Sequence, residues 1–153
     1  MQSIDLDQLN RLTDNLNAVL KDAPEERRAL HEQLAEMAKE EVDSAIASSV
    51  GDSSGKIADW QESHVGSGGG YAAVRAQTGT TGSESPGAIT NYLENGHKIP
   101  RPSGTAKHYK PAIKTPYVEG RHFYEHSRTA AESRAIDIAE DFADKLAERL
   151  AAE

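Results

Sequence analysis

Two apolar stripes of helical period, one at each end of the chain, set the frame for everything between them. Leu6, Leu9, Leu12, Leu16, Val19 and Leu20 recur at three- and four-residue steps, which places them on one helix face. The run "KDAPEERR" then reads as a stop and a restart. Pro24 suits a first helical position, and Glu25 and Glu26 suit a first turn. A second helix follows to about Ser49, with Leu30, Leu34, Met37, Ala38, Val42, Ala45 and Ile46 as its buried stripe, and Gly51 ends it. At the other end, Ala131, Ala135, Ile138, Phe142, Leu146 and Leu150 predict a long closing helix over about 122–150.

The middle has a different character. Residues 55–65, "GKIADWQESHV", read as a strand that contains Trp60 and Val65. "GSGGG" follows, and then "YAAVRAQ" alternates Ala72, Val74 and Ala76 with Tyr71, Arg75 and Gln77. This predicts a β-hairpin over about 56–77 with a floppy glycine tip. Residues 78–87 are loop by composition, 88–95 a short helix stopped at Gly96, and 97–120 an extended proline-rich loop. The order gives an α+β fold: two N-terminal helices, a small antiparallel sheet, a short helix, a long loop and a long C-terminal helix. We expect one domain over 1–153, with a helical region at 1–50, the hairpin at 55–77, the basic loop at 97–120 and the closing helix at 122–150.

At 153 residues the chain can bury a core without disulfides, but a thrifty one, since only 37% of residues are hydrophobic and there are two Phe and one Trp. The absence of cysteine excludes disulfides, thiolate ligands and a thiol nucleophile. No apolar run approaches the roughly 18 residues of a membrane span, and "MQSIDLDQLN" has no basic-then-apolar leader. The expectation is a soluble protein with no membrane contact.

The net charge of −8 argues against general nucleic-acid binding. It is unevenly spread: residues 97–121 carry six basic groups (Lys98, Arg101, Lys107, Lys110, Lys114 and Arg121) against one acidic group. Such a loop can touch phosphates, dock on acidic faces of other copies, or simply stay solvated. The overall charge ranks self-docking above nucleic acid.

Three motifs invite sharper chemistry. "HFYEH", His122–His126, matches the inverted zinc-protease pattern, in which two histidines hold the metal and Glu125 acts as base. That chemistry needs a third ligand and a cleft, and only one acidic amphipathic helix follows. The bland reading is a polar first turn beside a Phe that packs, and we take it. "GSGGG" lacks the Lys-Ser/Thr of a phosphate loop, and "GSESPG" misses the nucleophile-elbow spacing. The loop histidines His97 and His108 read as solvated, and His31 and His64 sit alone, as structural histidines do. No catalytic residue, metal or cofactor is expected.

Three segments in order carry a resemblance. Ser54-Gly55-Lys56-Ile57 leads into Ala58-Asp59-Trp60. Ala88 to His97 reads "AITNYLENGH". Gly120-Arg121-His122-Phe123 opens the last helix, with Ala130 and Ala131 following. Together they resemble the small head–tail joining and tail-completion (minor tail, neck) proteins of long-tailed bacteriophages. The chain departs from that pattern in a longer, more proline-rich 97–119 and in an extra stretch at 78–87. The resemblance implies a non-enzymatic virion assembly protein, present in host cytoplasm during assembly and then in the virion tail or neck. It implies ring partners of its own kind and neighbouring head-closure, tail-terminator or tail-tube proteins. It marks Gly55, Trp60, Tyr92, Glu94, Gly96, Gly120 and Phe123 as structural positions. The six basic residues of the loop are candidates for docking.

Overall fold

The computed structural model describes residues 7–99 and 116–151. The α+β class holds. Helix α1 (Asp7–Ser49) and the single turn α2 (Lys56–Asp59) come first. Strands β1 (Gln61–Val65) and β2 (Ala72–Ala76) follow, then helix α3 (Pro86–Asn95). Strands β3 (His97–Lys98) and β4 (Tyr117–Val118) precede helix α4 (Phe123–Ala151). Among the described residues there are two two-stranded sheets, β1-β2 and β3-β4. The chain divides into two compact units: Met1–Glu40 with Ser63–Val74 and Thr129–Glu153, and Glu41–Glu62 with Arg75–Arg128.

Two helices do precede the hairpin, but the boundary expected at 21–24 is absent. Helix α1 runs through Pro24 without a stop. An interior proline removes one backbone hydrogen bond and costs about 3 kcal/mol. The first unit offsets part of that from outside the helix. Arg149 of α4 bonds both Asp22, at 3.0 Å, and Glu26, and so holds the turns on either side of Pro24 together. Arg134 reaches Glu40 at 2.9 Å further along. Those pairings run α4 antiparallel to α1 inside this unit. Ala35 and Met37 are buried, and Ala131, Ala135, Ile138, Phe142 and Leu146, the expected stripe of α4, are partly buried.

The hairpin starts later than the sequence suggests, because residues 56–59 form α2 rather than strand. Asp52 is the cause. One carboxylate oxygen accepts from the Ser54 amide and hydroxyl, at 3.1 and 2.7 Å, and the other accepts from the Ile57 amide at 2.5 Å. These bonds satisfy the donors at the start of a turn. Gly66 N–H to the Tyr71 carbonyl and Gln77 N–H to the Trp60 carbonyl set the hairpin register. The glycine tip lies against α1. Arg27 donates to the Gly68 carbonyl at 3.0 Å, and Gly66 and Gly69 are buried. A Cβ at Gly66 would strike the Tyr71 ring.

In the second unit Val42, Ile46 and Phe123 form the apolar core, joined by three buried polar residues, Gln61, Thr90 and Ser127. No described helix is long and apolar enough to cross a membrane.

Candidate functional site

The corner at the end of α3 gathers most of the marked residues. Ser85 caps α3 by accepting from the Ala88 amide, with Pro86 at the first helical position. The helix ends at Gly96, whose φ of 73° and ψ of 175° suit glycine. Directly after it, His97 pairs with Val118 and Lys98 with Tyr117 in an antiparallel ladder, and Ile99 N–H reaches the Pro116 carbonyl. The two ends of the basic segment are therefore pinned side by side.

Close backbone approach makes this possible. A Cβ at Gly96 would lie 2.6 Å from the Tyr117 hydroxyl and 2.8 Å from the Gly120 nitrogen. A Cβ at Gly120 would lie 2.8 Å from the Asn95 carbonyl carbon and 2.9 Å from the Gly96 nitrogen. Tyr117 Oη donates to the Asn95 carbonyl at 2.9 Å and closes the crossing.

The same turn of α3 starts α4. The Arg121 and His122 amides donate to the Leu93 and Glu94 carbonyls at 2.6 and 3.2 Å. The Glu94 carboxylate then accepts from the Tyr124 amide at 3.1 Å. It acts as the N-terminal cap of α4, satisfying a donor that the helix leaves free and placing negative charge at the positive end of the dipole.

Behind this lies a satisfied polar network. Gln61, 1% exposed, donates to the Ile57 carbonyl at 3.0 Å and to Thr90 Oγ1 at 3.2 Å, and accepts from the Tyr124 hydroxyl. Burial, with the Glu94 charge as a lesser cause, pushes the Tyr124 phenol up to about 12. Gln61, Thr90, Tyr117 and Tyr124 are the corner residues that the sequence reading missed. Each is an ordinary polar or aromatic residue without motif spacing.

The marked positions sort as follows. Glu94, Gly96, Gly120 and Phe123 belong to the corner, and Phe123 is fully buried. Tyr92 is partly exposed beside the His97 ring, with centroids 5.0 Å apart. Gly55, at φ 71°, precedes α2, and Trp60 follows it under the Lys56 ammonium, 5.1 Å from the ring centroid. Lys98 and Arg121 are exposed at the two ends of the basic segment. Arg101, Lys107, Lys110 and Lys114 lie outside the described residues. The exposed surface around Lys98 and Arg121 includes Tyr92, Tyr117 and Val118.

His122 is the residue before α4 and has a left-handed φ of 51°, so it does not share a regular helix face with His126. It approaches Glu125 at 3.8 Å, and all three of these side chains are exposed. Among the described residues no group of three or more metal-ligating His, Asp or Glu side chains comes together.

An open concavity lies in the first unit. It is a groove of about 600 Å³ bounded by Ala29 and Leu30 of α1 and Phe142 and Leu146 of α4, with Glu26 and Arg149 at its rim. A smaller groove adjoins it at Val19, Leu20 and Pro24. Both are largely apolar channels along a helix pair, and Gln33, Lys145 and Glu148 also line the larger one. Comparison with protein-family models, curated proteins and solved structures finds no match to this chain.

Proposed function

We propose that this is a non-enzymatic assembly subunit that works by docking against copies of itself and adjoining structural proteins. By its resemblance, it would act at the head–tail junction or the head-proximal tail end of a long-tailed bacteriophage. The observation that carries the reading is the exposed apolar surface of the first unit, at Leu12, Leu16, Leu20 and Ile136, beside an open groove. Uncovered apolar surface of this kind marks sites of association. The corner adds a second element. It anchors both ends of a segment rich in lysine and arginine, beside exposed Tyr92 and Tyr117. Aromatic residues and arginine are favoured at contact hot spots.

In a ring, each subunit presents one surface to the next and a different surface to the one before. The basic segment of one copy and the acidic helices of its neighbour supply opposite charge, which guides register. The test is a variant in which Lys98, Arg101, Lys107, Lys110 and Lys114 are all replaced by Glu. Assembly with the adjoining particle proteins should be lost at low salt. Unchanged assembly would remove the electrostatic docking. Elemental analysis and peptide hydrolysis assays address the zinc reading: metal-dependent turnover that is lost in Glu125→Gln would replace docking with catalysis.

A further inference from the structure

We propose that Asn95 is a site of spontaneous conversion to isoaspartate, that the closed corner holds the reaction in check, and that the product opens the corner irreversibly. The inference goes beyond the assembly reading and stands without it.

Of Asn10, Asn15, Asn17, Asn91 and Asn95, only Asn95 precedes a glycine. Glycine has no side chain to shield its backbone nitrogen or to restrict its approach to the asparagine side chain. The Gly96 nitrogen loses its proton and bonds to Cγ of Asn95, the Cγ–Nδ2 bond breaks, and the side-chain nitrogen leaves as ammonia. Water then opens the cyclic imide. Opening at Cγ gives aspartate in the normal chain. Opening at the main-chain carbonyl carbon gives isoaspartate, in which the chain runs through Cβ and Cγ. Each water consumed balances one ammonia released, and nothing is oxidised or reduced.

Asn95 is exposed to water and is the last residue of α3. Two bonds hold it in place. Its side-chain nitrogen donates to Asn91 Oδ1 at 2.9 Å, one turn back, and its carbonyl accepts from the Tyr117 hydroxyl at 2.9 Å. The first keeps the side chain turned along the helix, and the second fixes the peptide plane to which the Gly96 nitrogen belongs. That plane must rotate out of helical geometry before the nitrogen faces Cγ, so the rate follows the fraction of time the corner is open. The product does not fit the closed form. A Cβ at Gly96 would already lie 2.6 Å from the Tyr117 hydroxyl, and one at Gly120 would lie 2.8 Å from the Asn95 carbonyl carbon. Isoaspartate adds a carbon to the main chain at this crossing and leaves a carboxylate next to Glu94. The β3–β4 ladder starts at His97, directly beyond it, and so loses its register along with the placement of Lys98.

The test is incubation of the full chain at mildly basic pH, with and without denaturant, followed by digestion and mass spectrometry with isoaspartyl methyltransferase labelling. Isoaspartate should accumulate at Asn95 ahead of the other four asparagines. The folded chain should react at least about tenfold more slowly than the denatured one, because only its open fraction reacts. Tyr117→Phe and Asn91→Ala should each speed the folded reaction by about fivefold, the worth of one lost hydrogen bond. In the converted chain, amide exchange at Ile99, whose N–H bonds the Pro116 carbonyl, should be faster. Asn95→Asp, which adds the charge without the main-chain carbon, should keep slow exchange there. A folded chain that forms no isoaspartate at Asn95 while the denatured chain does would overturn the site. Equal rates in the folded and denatured chains, or in both variants and the parent, would overturn the restraint by the corner. Unchanged exchange at Ile99 after conversion, or equally fast exchange in Asn95→Asp, would overturn the opening by the added carbon.

Discussion

The carboxylate of Glu94, in the last turn of α3, accepts a hydrogen bond from the Tyr124 amide at 3.1 Å and so caps α4. One side chain thereby ties the end of α3 to the first turn of α4. Replacing it with Ala should cost about 1 kcal/mol, the usual worth of an N-terminal cap. Glu94→Gln should recover part of that loss. Thermal unfolding of the two variants checks the order.

Gly96 carries a steeper penalty. Its φ of 73° disfavours any side chain, and a Cβ would crowd Tyr117 and the Gly120 backbone. Gly96→Ala should cost more than about 2 kcal/mol, since left-handed strain and a clash act together. Faster amide exchange at Ile99 and Arg121, whose N–H groups bond the Pro116 and Leu93 carbonyls, would show that the crossing has opened.

Tyr124 makes the corner sensitive to base. Its phenol is raised to about 12, chiefly by burial and secondarily by Glu94. A folded pKa above the unfolded value of about 10 means that the contribution is complete below pH 10 and is lost as pH rises towards 12. Absorbance titration should find one of the five tyrosines ionising late, and Tyr124→Phe should abolish that late step. Glu94→Gln should move it earlier.

Asp52 acts at the opposite end of the pH scale. Hydrogen bonds from Ser54 and then the Ile57 amide hold its carboxyl below the usual carboxylate range. The stabilisation is present above the unfolded pKa and is lost as pH falls through the lower folded value. Asp52→Asn should flatten the acid limb of the stability curve. A limb as steep as that of the parent chain would assign the acid sensitivity to other carboxylates.

Periodicity made the long elements legible. The Ala131–Leu150 stripe lies on α4 as expected, and Gly96 ends α3 as its position suggested. Local signals failed where a distant side chain intervened. Pro24 reads as a helix start until Arg149 bridges the turns around it, and that bridge comes from more than a hundred residues away. Trp60 reads as strand until the side-chain oxygens of Asp52 organise the preceding turn. The Gln61–Thr90–Tyr124 network was invisible for the same reason, because polar residues at unremarkable spacings become partners only in three dimensions.

The central claim, that this chain functions by associating with its own kind, is tested most directly by its mass in solution measured by light scattering over a rising concentration series at low and high salt. The account predicts a mass that grows with concentration, and growth that survives salt in its apolar part. A single-chain mass at every concentration and salt would contradict it.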